Sequence, residues 1–154
     1  MTIDQLLWFF YLIFMIVALG PNITFIFWIR RSFASDRDTA PFLLRTILWI
    51  NNRIVLPAVA LALIVWVSMV YFSGQPLTIP WILLTIVFWI AVFILSLLGY
   101  RSTIGNQINL AERTGSGSDE YKDATWRSTL IGIAISVITF LIILLLAFQP
   151  ALWG

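Results

Sequence analysis

Residues 6–31 read LLWFFYLIFMIVALGPNITFIFWIRR, an uncharged and mostly apolar run that ends at two arginines. A transmembrane helix needs about 20 apolar residues, so this run is long enough to cross a bilayer. Three later runs have the same character. The pattern predicts an all-α membrane protein whose single domain, residues 1–154, is an up-down bundle of four transmembrane helices. The predicted spans are about 6–29, 54–72, 80–100 and 130–148.

The composition also indicates a chain that folds in lipid. Of its 154 residues, 61% are hydrophobic and 10% are charged. A soluble domain has about 45–50% apolar and about 25% charged residues. The formal net charge of +2 comes from scattered loop residues and not from a basic patch, so nucleic acid is not an expected partner.

The cationic residues predict the orientation of the bundle. All nine lie in two segments, residues 30–53 and 101–129. Loops that carry lysine and arginine stay in the cytoplasm, so both segments are predicted to be cytoplasmic loops. Both termini then lie on the outer, periplasmic side of a bacterial inner membrane. The N-terminus has no basic region before its apolar run, and we expect that run to be a permanent anchor.

Aromatic and arginine side chains mark the predicted membrane surfaces. Tryptophan prefers the headgroup level, and arginine at a helix end reaches the phosphates. The expected lipid-interface anchors are Trp8, Trp81 and Trp153 on the outer side, with Trp28, Trp126, Arg30 and Arg31 on the cytoplasmic side.

Two prolines fall inside or beside the predicted spans. Pro21 follows Gly20 in the first span, and Pro57 lies near the start of the second. Proline donates no backbone hydrogen bond and clashes with the preceding turn, so we expect helix kinks at both positions. A kink can be merely tolerated, or it can turn an open carbonyl towards a ligand.

Four polar residues are predicted to meet inside the membrane. Asn22 lies about two turns from the cytoplasmic end of the first span, and Asn51, Asn52 and Arg53 lie at the cytoplasmic entry of the second. An amide in hydrocarbon must find a hydrogen-bond partner. The cluster therefore serves either helix–helix bonding or contact with a ligand or ion, and both interpretations stay open.

The helices are expected to continue beyond the membrane on the cytoplasmic side. Thr39 can cap a helix that leads into the second span, and the third span can continue towards Glu112. Ser116 or Ser118 can cap the last helix. The polar stretch Asn106–Asn109 is predicted to be a solvated helix face.

The residue types in the chain argue against metal binding, proton relays and catalysis. The chain has no cysteine and no histidine, and no acidic residue lies inside a predicted span. Ligands for haem, copper and zinc and the usual proton relays are therefore absent, so we predict no metal, no catalytic residue and no enzyme activity. Lipid, carotenoid or quinone stays open as a bound molecule.

By exclusion, we expect a non-catalytic accessory subunit that packs against a larger membrane complex of respiratory or photosynthetic type. Its expected partners are membrane lipids and other membrane protein subunits. One alternative is a small homo-oligomeric transporter or channel, which requires a polar lining. The other is a lipid-, quinone- or pigment-binding protein, which predicts a groove near Pro21.

The order of landmarks along the chain resembles a bacterial family of predicted four-span integral membrane proteins of unknown function. That family is distantly similar to the membrane domains of copper-resistance D-like proteins. Many members carry a histidine in the first span, whereas Leu12–Leu19 contains none. The resemblance implies the four-span fold and no activity. The landmarks are Gly20, Arg30-Arg31, Asn52-Arg53, Pro57, Pro80-Trp81, Glu120-Tyr121, Trp126-Arg127 and residues 148–153, FQPALW.

Overall fold

Four long helices make up most of the protein in a computed structural model that describes residues 3–33 and 39–149. They are α1, Ile3–Phe33; α2, Thr39–Phe72; α3, Pro80–Thr114; and α4, Asp119–Phe148. Each contains a stretch long and apolar enough to cross a membrane. The described residues form no strand. The prediction of an all-helical, four-span membrane protein is confirmed, and the orientation of the termini stays a prediction.

The helices extend well beyond the predicted spans. α2 begins at Thr39 and α3 continues to Thr114, so the segments 39–53 and 101–114, predicted as loop, are helical. The expected extensions are therefore present. The Ser118 hydroxyl accepts a hydrogen bond from the Tyr121 backbone N–H and caps α4, because its side chain satisfies a donor in the first turn. Arg45 of α2 forms an exposed ion pair with Glu112 of α3.

Each helix has two close neighbours in the bundle. α1 packs along α2 and α4, and α3 packs along the same two helices, so α1 and α3 face each other across the centre. Large side chains reach across that diagonal at three levels and fill the space between the helices. The three contacting pairs are Tyr11–Trp89, Phe25–Tyr100 and Ser32–Gln107.

A glycine on α4 allows the closest packing at the middle of the bundle. A Cβ atom added to Gly132 would lie 2.9 Å from the Tyr100 hydroxyl and 3.1 Å from Cγ1 of Ile26. Small residues let membrane helices approach closely, and this approach supplies the van der Waals contacts that replace the hydrophobic effect in lipid. The centre is therefore tightly packed at this level.

Two π-helical turns interrupt α2 and α3 at the same level. They span Asn51–Val55 and Leu95–Gly99, and the Asn51 amide donates a 2.9 Å hydrogen bond to the Ser96 backbone carbonyl. The first turn directly precedes Pro57, where a kink was predicted. A wider turn accommodates proline because it relieves the clash between the ring and the preceding carbonyl.

Helix α1 stays helical on both sides of Pro21. Proline leaves carbonyls of the preceding turn without their usual amide donors. The Asn22 side chain donates a 2.7 Å hydrogen bond to the Ala18 carbonyl, and the Thr24 hydroxyl donates a 2.8 Å bond to the Pro21 carbonyl. Both bonds go to carbonyls of the same helix beside Pro21, and neither goes to the Val17 carbonyl, which lies four residues before Pro21 and loses its amide donor.

Candidate functional site

Of the four residues of the predicted polar cluster, two are buried and two are exposed. Asn22 and Asn51 are buried, but each donates to a backbone carbonyl, Asn22 within α1 and Asn51 to Ser96 of α3. Asn51 also makes a long 3.4 Å contact with Asn52. Asn52 and Arg53 are exposed. The two buried asparagines thus stabilise backbone at proline and π-helical interruptions, and each keeps an amide oxygen that has no partner among the described residues.

The predicted interface anchors divide into two groups. Trp8, Trp28 and Trp126 are 43%, 49% and 57% exposed, and Arg30 and Arg31 are also exposed. These five residues lie on the surface of the bundle, as an anchor must, and their contact with lipid stays a prediction.

Trp81 departs from the predicted role. It is only 7% exposed and packs inside the bundle, with its ring centroid 5.8 Å from that of Trp66. Its interpretation as a lipid anchor is wrong because the start of α3 turns the ring inward to fill space between helices. Trp153 lies outside the described residues.

Trp81 belongs to a cluster of four buried aromatic residues near the chain termini, here called the outer aromatic cluster. Its members are Tyr11, Trp66, Trp81 and Trp89. Ring centroids within it lie 5.8 to 6.3 Å apart. No hydrogen bond of good geometry reaches the Tyr11 hydroxyl or the indole nitrogens of Trp66 and Trp89 among the described residues, although Tyr11 and Trp89 lie within interaction range of each other. Buried polar groups of this kind normally find a partner, so three together call for an explanation.

A cavity of about 300 Å³ lies against this cluster. Its wall combines the Trp8, Trp66 and Trp81 rings with polar side chains from the connection after α2 and from the end of α4. The polar wall residues are Ser73, Gln75 and Gln149. The cavity is therefore amphipathic, as is typical of sites for small molecules that have one polar end.

A second buried cluster lies at the opposite end of the bundle, here called the Gln107 node. The Gln107 amide donates to the hydroxyls of Thr125 at 2.9 Å, Tyr121 at 3.2 Å and Ser32 at 3.3 Å. The Ser32 hydroxyl donates to the Ile29 carbonyl, so the Tyr121 hydroxyl donates to Ser32. This node links α1, α3 and α4 through hydrogen bonds in a region of low dielectric.

The node corrects the interpretation of residues 106–109 as a solvated face. Asn106 and Asn109 are exposed, but Gln107 has no exposed surface and Ile108 is 8% exposed. The helical period itself carried a usable signal, because one turn of a helix cannot present four consecutive residues to water. The long-range partners, Ser32 and Tyr121, could not be identified without the tertiary structure.

Two further cavities line the lipid-facing boundary between α1 and α2. The larger one, about 490 Å³, is lined by Gly20, Pro21, Thr24, Phe25, Trp28, Thr46, Ile47 and Ile50. The other, about 440 Å³, is lined by Phe27, Trp28, Arg31, Thr39 and Leu43. Both share the Trp28 ring and together form the α1–α2 groove. A groove beside Pro21 is the feature that the lipid-binding alternative requires.

The described residues supply little for chemistry. No group of three or more histidine, cysteine, aspartate or glutamate side chains within 3–33 and 39–149 is placed to hold a metal ion. No protein-family model, curated protein or solved structure gives a significant match to the chain. The resemblance to the four-span bacterial family stays a prediction.

Proposed function

We propose that this protein is a non-catalytic accessory subunit that packs against a larger membrane complex through helix α1. The observation that carries the proposal is an apolar stripe exposed along the whole of α1. Its members recur at alternating intervals of four and three residues, so they share one face of the helix. The α1 stripe consists of Phe9, Ile13, Ile16, Gly20, Ile23 and Phe27, all of which are exposed.

The composition of the α1 stripe favours a protein partner over lipid alone. Gly20 lies at its centre, and a Cβ atom there would meet nothing within 4 Å. An exposed glycine lets a second helix approach closely, as in small-residue packing between membrane helices. Phenylalanine stands at both ends of the stripe, and aromatic residues are enriched in protein interfaces.

Helix α3 provides the internal comparison. All its residues are described, and its exposed large hydrophobic side chains are all aliphatic: Leu83, Val87, Ile90, Ile94 and Leu98. Between its two expected tryptophan anchors, helix α1 instead exposes three phenylalanine rings among its described side chains, those of Phe9, Phe10 and Phe27. This difference supports a lipid-facing role for α3 and a partner-facing role for α1.

The filled centre of the bundle supports a subunit more than a channel. Side chains meet across the diagonal at three levels, and the Tyr100 hydroxyl closes on Gly132 in the middle. A conducting path through one chain needs a continuous polar lining with room for water or solute. The charge distribution supports a location in a bacterial inner membrane with both termini in the periplasm.

The test is purification from native membranes in mild detergent, followed by mass spectrometry of all stoichiometric proteins. The variant Ile16→Trp adds bulk to the α1 stripe, and Ile90→Trp makes the same change on the exposed face of α3. We expect co-purification of at least one larger membrane protein with the wild type and with Ile90→Trp, and its loss with Ile16→Trp. Recovery of this chain alone from wild-type membranes contradicts the proposal, as does equal co-purification by both variants.

The outer aromatic cluster favours a second candidate function, the binding of a small amphipathic molecule such as a quinone. Trp66 lines the amphipathic cavity, and its indole N–H, which has no partner among the described residues, can donate a hydrogen bond to a carbonyl of the ligand. Organic extraction of the purified protein followed by mass spectrometry tests this candidate. We expect one bound molecule per chain and weaker retention in Trp66→Phe, whereas protein that carries no extractable small molecule contradicts it.

A further inference from the structure

The α1–α2 groove has the charge and polarity profile of a phospholipid. At one end it is lined by Arg31 and Thr39, and its other end reaches Gly20 and Pro21 within the apolar part of α1. Between these ends the wall is apolar and aromatic, with Trp28 shared by both cavities. We propose that this groove binds one anionic phospholipid, with the phosphate at Arg31 and one acyl chain along α1.

The length of the groove matches one membrane leaflet. Eleven residues separate Arg31 from Gly20, and a helix rises about 1.5 Å per residue, which gives about 16 Å. Half of a hydrocarbon core about 30 Å thick is about 15 Å. An acyl chain that follows α1 from Arg31 therefore ends near Pro21, at the far end of the groove.

The polar end of the groove suits a phosphate. A guanidinium group has five N–H donors, so Arg31 can bind phosphate oxygens in addition to the interaction that its side chain already makes. Arg30 adds a second exposed guanidinium beside Arg31. Thr39 begins helix α2, and the positive end of the helix dipole favours an anion there. Arg30 and Arg31 together repel the choline cation of a zwitterionic lipid, which favours an anionic lipid such as phosphatidylglycerol.

The apolar end suits an acyl chain and not a polar molecule. The side-chain hydroxyls in its wall are occupied locally, since Thr24 donates to the Pro21 carbonyl and Thr46 donates to the Phe42 carbonyl. The remaining wall residues are glycine, proline, aromatic and aliphatic. A single tail lying in the groove makes dispersion contacts along both helices.

The experiment titrates purified protein with dioleoyl phosphatidylglycerol or dioleoyl phosphatidylcholine and measures lipid adducts by native mass spectrometry. Two variants probe the ends of the groove: Arg31→Gln at the phosphate and Thr46→Phe in the tail region. Each has a matched control outside the groove. Arg127→Gln removes an exposed arginine of α4, and Thr103→Phe replaces a half-buried threonine of α3 that likewise donates to the carbonyl four residues earlier.

We expect the wild type to bind the first phosphatidylglycerol several-fold more tightly than phosphatidylcholine, because both lipids present a phosphate but the choline cation of the second is repelled by Arg30 and Arg31. Arg31→Gln and Thr46→Phe should each weaken this binding by about tenfold, and both controls should stay within about twofold of wild type. Equal affinity for the two lipids overturns the proposal. So does unchanged binding in either groove variant, because the phosphate or the tail then lies elsewhere.

Discussion

The contact between Tyr100 and Gly132 makes a sharp prediction about stability. The Tyr100 hydroxyl is buried, has no partner among the described residues and lies where a Gly132 side chain would begin. The two single variants, Tyr100→Phe and Gly132→Ala, should therefore have different effects alone and should be coupled when combined. The double variant completes a mutant cycle that isolates the interaction.

The magnitudes follow from the geometry. Gly132→Ala stabilises the helix by about 1 kcal/mol through its higher helix propensity. Its Cβ atom, 2.9 Å from the Tyr100 hydroxyl, destabilises the fold by about 1–3 kcal/mol through overpacking. We expect a net loss of about 1 kcal/mol in the free energy of unfolding. Tyr100→Phe removes an unpartnered buried hydroxyl and should be neutral or stabilising. In the Tyr100→Phe background, Gly132→Ala should cost at least about 1 kcal/mol less than in the wild type.

The assay is reversible unfolding in mixed micelles, followed by circular dichroism, for the wild type, both single variants and the double variant. Gly105→Ala is the matched control, because a Cβ atom added at this glycine of α3 meets nothing within 4 Å. It should be neutral or stabilise by up to about 1 kcal/mol. The reasoning is refuted if Tyr100→Phe destabilises by more than about 1 kcal/mol, or if the cycle shows no coupling energy.

Three further predictions concern orientation, the π-helical turns and the Gln107 node. The chain lacks cysteine, so single introduced cysteines can report its orientation. An impermeant thiol reagent added to intact cells should label Gln75→Cys, which is predicted to lie outside, and spare Gly117→Cys, which is predicted to be cytoplasmic. The opposite labelling pattern would mean that the topology is reversed. Asn51→Leu should lower the free energy of unfolding by about 1–3 kcal/mol through the loss of its bond to the α3 backbone, while exposed Asn52→Leu should change it little. Tyr121→Phe should cost about 1–2 kcal/mol in the same unfolding assay, and no change would show that the node contributes nothing to stability.

The number and type of elements could be predicted from the sequence because a bilayer imposes one solution on an apolar chain. Each span must satisfy its own backbone hydrogen bonds in lipid, so an apolar run of sufficient length becomes a helix. Residues 54–72 and 80–100 were identified on this basis. The helical extensions were also predictable, from capping residues such as Ser118 and from continued helical periodicity.

Side-chain roles within the bundle were predicted less well. Trp81 has the sequence position of an interface anchor, yet it packs against Trp66 inside the bundle. Asn22 and Asn51 lie at similar depth, yet each bonds to a different backbone carbonyl. The depth of a residue follows from its place in the span, but the direction of its side chain depends on how each helix is rotated against its neighbours.

The sequence by itself determined the apolar character of this protein and its four helices that are long enough to cross a membrane. These properties follow from composition and from the free energy of placing a backbone in lipid. Only the tertiary structure decided which faces pair. It brought Gln107 to Ser32 and Tyr121, set Tyr100 against Gly132, and left the α1 stripe and the α1–α2 groove on the surface. Helix rotation is fixed by close packing between distant residues, and local sequence does not encode that packing.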